Sequence, residues 1–330
     1  TARPNLDNGV CVATCGTTNK YLNGTNCVSS CSGTNKYLNG TTCTSSCPVY
    51  SADKTCVTSC PTDRPYLDGT QCKTVSEICQ SKVSRTGNKN FVVSGNTVTY
   101  TGDMELSADT LDAPMCNLIV NGMLKTKNKS ILNIKNLTVK SDNDSVSYAL
   151  DIYGSTVTVS GDIVVTSVKN ALQFGVSTIT AKNITATGTT EDGIRCIQPL
   201  GSTSTITAAN ITATSTDSEA IYMSNGCQLI ATGDIIGTSI NYFGIRLWQD
   251  ASIKANNVIG KSGVDSPSIN LRESATITAT STVSGSYISL YGGTITAKTI
   301  NYCEKIYSLD GVLSGVKKCE DGCACTLSIY

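Results

Sequence analysis

From residue 149 onward the chain repeats one phrase, beginning ALDIYGSTVTVSGDIVVTS and ALQFGVSTITAKNITATG, at intervals of about 17 to 27 residues. Leu150, Leu172, Ile194, Ile221, Ile245, Ile269, Ile288 and Ile306 form one column of the repeat. Ile152, Phe174, Cys196, Met223, Leu247, Leu271, Leu290 and Ser308 form a second column two residues later. Residues two apart share a face of a strand, so both columns point inward. A unit this short cannot bury its apolar face alone and must stack on its neighbours about 4.8 Å away. Parallel crossovers take the right hand in nearly all cases. The pattern therefore predicts an all-β chain: a right-handed parallel β-helix (solenoid) over 81–318, a small disulfide-rich repeat module over 1–80 and a Cys-rich C-terminal cap over 319–330.

Each turn reads as three short strands, with a variable loop (TGTTED, TSTDSE, KSGVDSP) and a tight bend at Asn136, Asp162, Asn183, Asn210, Asp234 and Asn257. Asn and Asp suit a sharp corner because they tolerate the left-handed region. Their side chains have two readings, an amide ladder facing inward or an exposed tip that carries glycan. Ile184 and Ile211 claim the core, which leaves Asn183 and Asn210 at the rim and favours glycan there. A solenoid has two open ends that invite other chains. Cys79 and Cys116 are expected to staple the first turn, and Cys303, Cys319, Cys323 and Cys325 to lock the cap. Cys196, in an inward column, is expected to be a buried thiol.

Nine Cys between residues 11 and 72 follow a C-x3-C lattice, with units such as CVATCGTTNKYLNGTN and CVTSCPTDRPYLDGTQ, ending in CKTVSEIC as a partial fifth repeat. Units of 13 to 16 residues need covalent closure. NKYLNGT and RPYLDGT read as tight turns at Asn-Gly and Asp-Gly. This stretch resembles the furin-like, growth-factor-receptor-type cysteine repeats abundant in surface proteins of protists. That resemblance implies pairing of Cys15 with Cys27, Cys31 with Cys43, Cys47 with Cys56 and Cys60 with Cys72, leaving Cys11 over. By spacing alone an interlaced pattern, Cys11 with Cys27 and Cys15 with Cys31, is equally allowed. A zinc site is disfavoured by the C-x3-C spacing and by the absence of His. The repeats of 88–318 in turn look like the pectate-lyase-like β-helix superfamily and repetitive surface adhesins, without a catalytic motif of that family.

Seventeen Cys in 330 residues require an oxidising compartment. Seven N-x-S/T sequons, at Asn23, Asn39, Asn128, Asn136, Asn143, Asn183 and Asn210, agree with an extracellular or cell-surface location and N-linked glycans. Net charge is zero and no basic run exists, which disfavours nucleic acid as a partner. No apolar run is long enough to span a bilayer, and a start at Thr1 suggests a removed signal peptide.

Without His, nucleophilic triads are excluded and acid-base chemistry falls to carboxylates. Asp192 and Glu219 occupy equivalent positions on successive turns, about 5 Å apart if stacked, the separation retaining glycosidases use. The favoured alternative makes them solvated loop ends beside an Arg ladder; calcium at Asp192, Asp217 and Glu219 is a weaker reading. The outward column is Asp151, Gln173, Arg195, Tyr222, Arg246, Asn270, Ser289 and Tyr307, with Tyr153, Trp248 and Tyr291 also outward. Outward aromatics mark contact surfaces. Arg195, Tyr222, Arg246, Trp248, Tyr291 and Tyr307 are thus candidates for a binding face, and Cys11 for an intersubunit disulfide. The expectation is a structural, non-enzymatic protein without metal or cofactor that assembles with itself into a filament, wall or coat. A glycan-binding adhesin, with extracellular polysaccharide as partner, and a carbohydrate-active enzyme are the alternatives.

Overall fold

The computed structural model describes residues 15, 17–18, 20–263 and 266–330 in full, and residues 5–7 and 10–12 as backbone. The Cys11 side chain therefore lies outside the described residues. The chain divides into two compact units, Thr1–Ser81 and Lys82–Tyr330.

In the first unit each YLNGT or YLDGT stretch folds into a two-residue hairpin: Tyr21–Asn23 on Asn26–Val28, Tyr37–Asn39 on Thr42–Thr44, and Tyr66–Asp68 on Gln71–Lys73. Positive φ falls on Gly24, Gly40 and Gly69 rather than on the preceding Asn or Asp. Glycine opens each loop, as in a type II′ turn, whose twist matches that of the strands. Disulfides join Cys15–Cys27, Cys31–Cys43, Cys47–Cys56 and Cys60–Cys72, and neighbouring hairpins touch through short parallel bridges such as Leu22 with Thr42. Residues 72–79 do not form a fifth repeat. A helix, Val75–Ser84, begins there because Thr74 and Glu77 close a capping box: Thr74 N–H donates to Glu77 Oε2 at 2.9 Å and Glu77 N–H to Thr74 Oγ1 at 3.2 Å.

The second unit is a parallel β-solenoid. Its first column stacks Leu150 on Leu172, then Ile194, Ile221, Ile245, Ile269, Ile288 and Ile306, without a register slip. The second, Ile152 through Ser308, does the same, and both are fully buried from end to end. A third column runs through eleven levels from Val98 to Lys317. The segment expected as a separate cap belongs partly to this body: Thr326–Ile329 adds in parallel to Lys305–Ser308, with Cys303–Cys323 and Cys319–Cys325 closing the turn.

Two expectations are corrected. Cys196 is not a thiol but forms a disulfide with Cys227 inside the core. Its partner begins the second strand of the next turn and reaches it across the interior, outside the column that holds Cys196. Cys79 and Cys116 are disulfide-bonded as well.

The Asn/Asp corner is not left-handed either. Positive φ occurs at another corner, at Asn128, Val176, Asn225, Asp250, Glu273 and Asp310. Asn136, Asp162, Asn183, Asn210, Asp234 and Asn257 instead form a side-chain ladder along the rim. Asn183 Nδ2 donates to Asp162 Oδ1 at 2.9 Å, Asn210 to Asn183 at 3.0 Å and Asn257 to Asp234 at 2.8 Å. A carboxylate has no hydrogen to donate, so at each Asp level the backbone takes over. Asp162 N–H donates to Asn136 Oδ1 at 2.9 Å, and Asp234 N–H to Asn210 Oδ1 at 3.1 Å. Those two Asn oxygens occupy the space a Cβ would need at Gly161 and Gly233. That explains why the bend reads Gly-Asp at these levels but Lys-Asn or Ala-Asn at Asn183 and Asn210.

Candidate functional site

The first strand of each turn carries one residue of an outward line, and the variable loops before Ile194 and Ile221 turn back beside it. Register places Asp151, Gln173, Arg195, Tyr222, Arg246, Asn270, Ser289 and Tyr307 in one line. The loops bring Asp192 and Glu219 down beside it. These acids are not solvated loop ends: the Asp192 side chain is 1% exposed and that of Glu219 10%. Alternation describes strand positions and carries no information about a loop that turns back, so this burial was not legible.

Each acid is held on two sides. Arg195 Nη1 donates to Asp192 Oδ2 at 2.9 Å, and Arg246 Nη1 reaches back one turn to Glu219 Oε1 at 2.9 Å. The remaining oxygens face a shared hydroxyl, with Ser218 Oγ 2.8 Å from Asp192 Oδ1 and 2.9 Å from Glu219 Oε2. Burial first, then the Glu219 charge, push the Asp192 carboxyl up to about 6 against the pull of Ser218 and Arg195. Burial works to lower the Arg195 pKa, but the Asp192 charge and hydrogen bond, with Tyr148 and Tyr222, together outweigh it and the net direction is up. Burial also raises the Tyr148 phenol two turns back.

The aromatic residues are gripped by the same guanidinium groups. Arg195 and Arg246 lie 5.3 and 5.7 Å from the Tyr222 ring centre, and Arg246 is also 5.3 Å from Phe243 and 5.9 Å from Trp248. Trp248 donates its indole N–H to Glu273 at 2.6 Å. Arg195, Tyr222, Arg246 and Trp248 are thus brought together, with the Nε of Arg195 and of Arg246 buried without a hydrogen-bond partner. Tyr291 and Tyr307 form a second cluster with Tyr330, at ring separations of 5.5 and 5.8 Å, with Arg272 over Tyr291 at 5.5 Å. Tyr291 is 41% and Tyr330 74% exposed. Tyr153 stands apart, beside Gly175 of the next turn. Ser218, Phe243, Arg272 and Tyr330 were missed; for Phe243 the available signal was its place two residues before Ile245, where Asp192 and Glu219 precede Ile194 and Ile221.

The arrangement is poorly placed for glycoside hydrolysis, which needs two carboxyl groups opening onto one bond. Asp192 has no such access. For calcium, Asp217 accepts from Asn241 at 2.7 Å while Asp192 and Glu219 are turned to Arg and Ser218. Among the described residues no group of three or more His, Cys, Asp or Glu is gathered to hold a metal ion.

Of the sequons, Asn39, Asn128, Asn143 and Asn210 are exposed, and Asn23, Asn136 and Asn183 are half-buried. Asn136, Asn183 and Asn210 spend their amides on the rim ladder. The disulfide-bonded cysteines indicate an oxidising, extracellular or secretory environment. Among the described residues no helix is long and apolar enough to cross a membrane. No protein-family model, curated protein or solved structure significantly matches the chain.

Proposed function

We propose that the protein is a secreted structural glycoprotein, a subunit of an extracellular filament, wall or surface coat, joined through its cysteine-rich repeats and the ends of its solenoid. One observation carries this reading. Among the described residues, Val312–Cys319 and Thr326–Ile329 are hydrogen-bonded on one side only, to Thr294–Leu309, while Val312, Val316, Leu327, Ile329 and Tyr330 are between 47% and 74% exposed. By contrast Val98, Met104, Leu106 and Leu111 of the first turn are no more than 1% exposed. An apolar, half-paired edge invites a further strand. Parity adds support: the sixteen other cysteines are all disulfide-bonded, so Cys11 is the candidate for an intersubunit disulfide.

The partners are further copies of the chain, its N-linked glycans and extracellular polysaccharide. Negative-stain microscopy of native secreted material, with and without thiol, tests the proposal. Regular polymers that shorten on reduction are expected, and Ile329→Lys is expected to shorten them without thiol. A solitary molecule that releases reducing sugar ends overturns it. The cluster of Tyr291, Tyr307 and Tyr330, with Tyr291 and Tyr330 exposed, favours a second reading, glycan adhesion. That reading requires glycan-array binding that is lost in Tyr330→Ala.

A further inference from the structure

A serine hydroxyl owns one hydrogen, yet Ser218 Oγ lies within hydrogen-bond distance of two buried carboxyl groups. It can donate to one. The other contact is attractive only if that carboxyl brings its own hydrogen; otherwise oxygen lone pairs face each other in a poorly solvated site. We propose that Asp192 and Glu219 hold one proton between them through Ser218, and that this proton is a pH-sensitive catch fastening two successive loops of the solenoid to each other. In the closed form Asp192 donates through Oδ1 to Ser218, and Ser218 donates to Glu219. Asp192 takes the proton because it is the more deeply buried of the two.

The surroundings fit that assignment. Arg195 on the adjoining strand faces Asp192 Oδ2, and Arg246 on the turn beyond faces Glu219 Oε1. Each guanidinium thus takes one oxygen and leaves the other to the hydroxyl. Two turns back stand Tyr148 and Asp151; Asp151 is paired with Lys125 at 3.2 Å. Glu191, next in the chain, is turned aside to Asn170. Burial and the Glu219 charge both favour the protonated form of Asp192. The loops have other ties, Ser215 Oγ to Glu191 O and Ser239 Oγ to Ser218 O, both at 2.7 Å. Loss of the proton therefore loosens residues 189–193 and 216–220 without unthreading the solenoid. This inference stands independently of assembly.

Hydrogen exchange of the full chain, measured from pH 4.5 to 8 and corrected for intrinsic rates, tests the catch. Protection of residues 189–193 and 216–220 is expected to fall as pH rises through about 6, by up to about 100-fold if opening restores an ordinary carboxyl, while remote strands stay unchanged. Asp192→Asn supplies a permanent donor to Ser218 and should make protection independent of pH. Glu219→Gln tests the same point from the other side: its amide donates to Ser218, Ser218 donates to the ionised Asp192, and the fall with pH should be lost. Flat wild-type protection overturns the proposal, as does a wild-type profile retained in either variant. Ser218→Ala distinguishes the bridge from burial alone, since an unchanged pH profile there would also sink it.

Discussion

At the scale of the residue, Asp192 ties stability to pH with a definite sign. Its carboxyl ionises at about 6 in the folded chain against an ordinary 3.8, so the folded form binds the proton more tightly than the unfolded one. Its favourable contribution is full below about pH 3.8 and is lost as pH rises through 6. The difference is on the order of 3 kcal/mol. Denaturation midpoints across that range should fall with rising pH in the wild type and lose this component in Asp192→Asn. Repeats unfold in parts, so the comparison is between the two proteins rather than against a two-state standard. The spacing before Ile194 and Ile221 placed both acids together; what it lacked was Ser218 and the folding back of the loops. Cys196 shows a similar boundary. Its inward direction followed from alternation, but Cys227 lies on another strand, and no count along a column reaches across the interior.

At the scale of the element, the rim ladder sets which residue each bend accepts. Asn183→Ala removes one donated and one accepted bond and is expected to cost about 1–2 kcal/mol. Asn183→Asp should be worse at neutral pH, because its carboxylate would face that of Asp162, and should recover in acid. Thermal melts at two pH values check both. Gly161→Ala and Gly233→Ala should also destabilise, since a methyl group meets the Asn136 or Asn210 oxygen. The bends themselves were legible as a column of Asn and Asp. Their conformation was not, because the same residues serve left-handed turns and side-chain ladders equally well. Hairpins of the first unit were plain for the opposite reason: Asn-Gly and Asp-Gly between short β-prone stretches have few other uses.

At the scale of the whole molecule the two units hold together by different physics. Residues 15–81 keep few buried apolar side chains outside their cysteines, whereas the solenoid buries its columns completely. Thiol should therefore dissolve the order of the repeats while the β signal of the solenoid persists in far-ultraviolet circular dichroism. The Cys196–Cys227 bond, fully buried, should resist the reagent until the chain unfolds. Its removal in Cys196→Ala with Cys227→Ala should cost about 2–4 kcal/mol.

The unslipped register has a consequence for the size of such a molecule. Excise residues 172–193 and Ile194 meets Leu150 as Leu172 did, while Asn210 comes to rest on Asp162 in place of Asn183. No new joint has to be invented. Span thus becomes a quantity that a gene can adjust by whole increments, each duplication or loss moving the tip by a single rung.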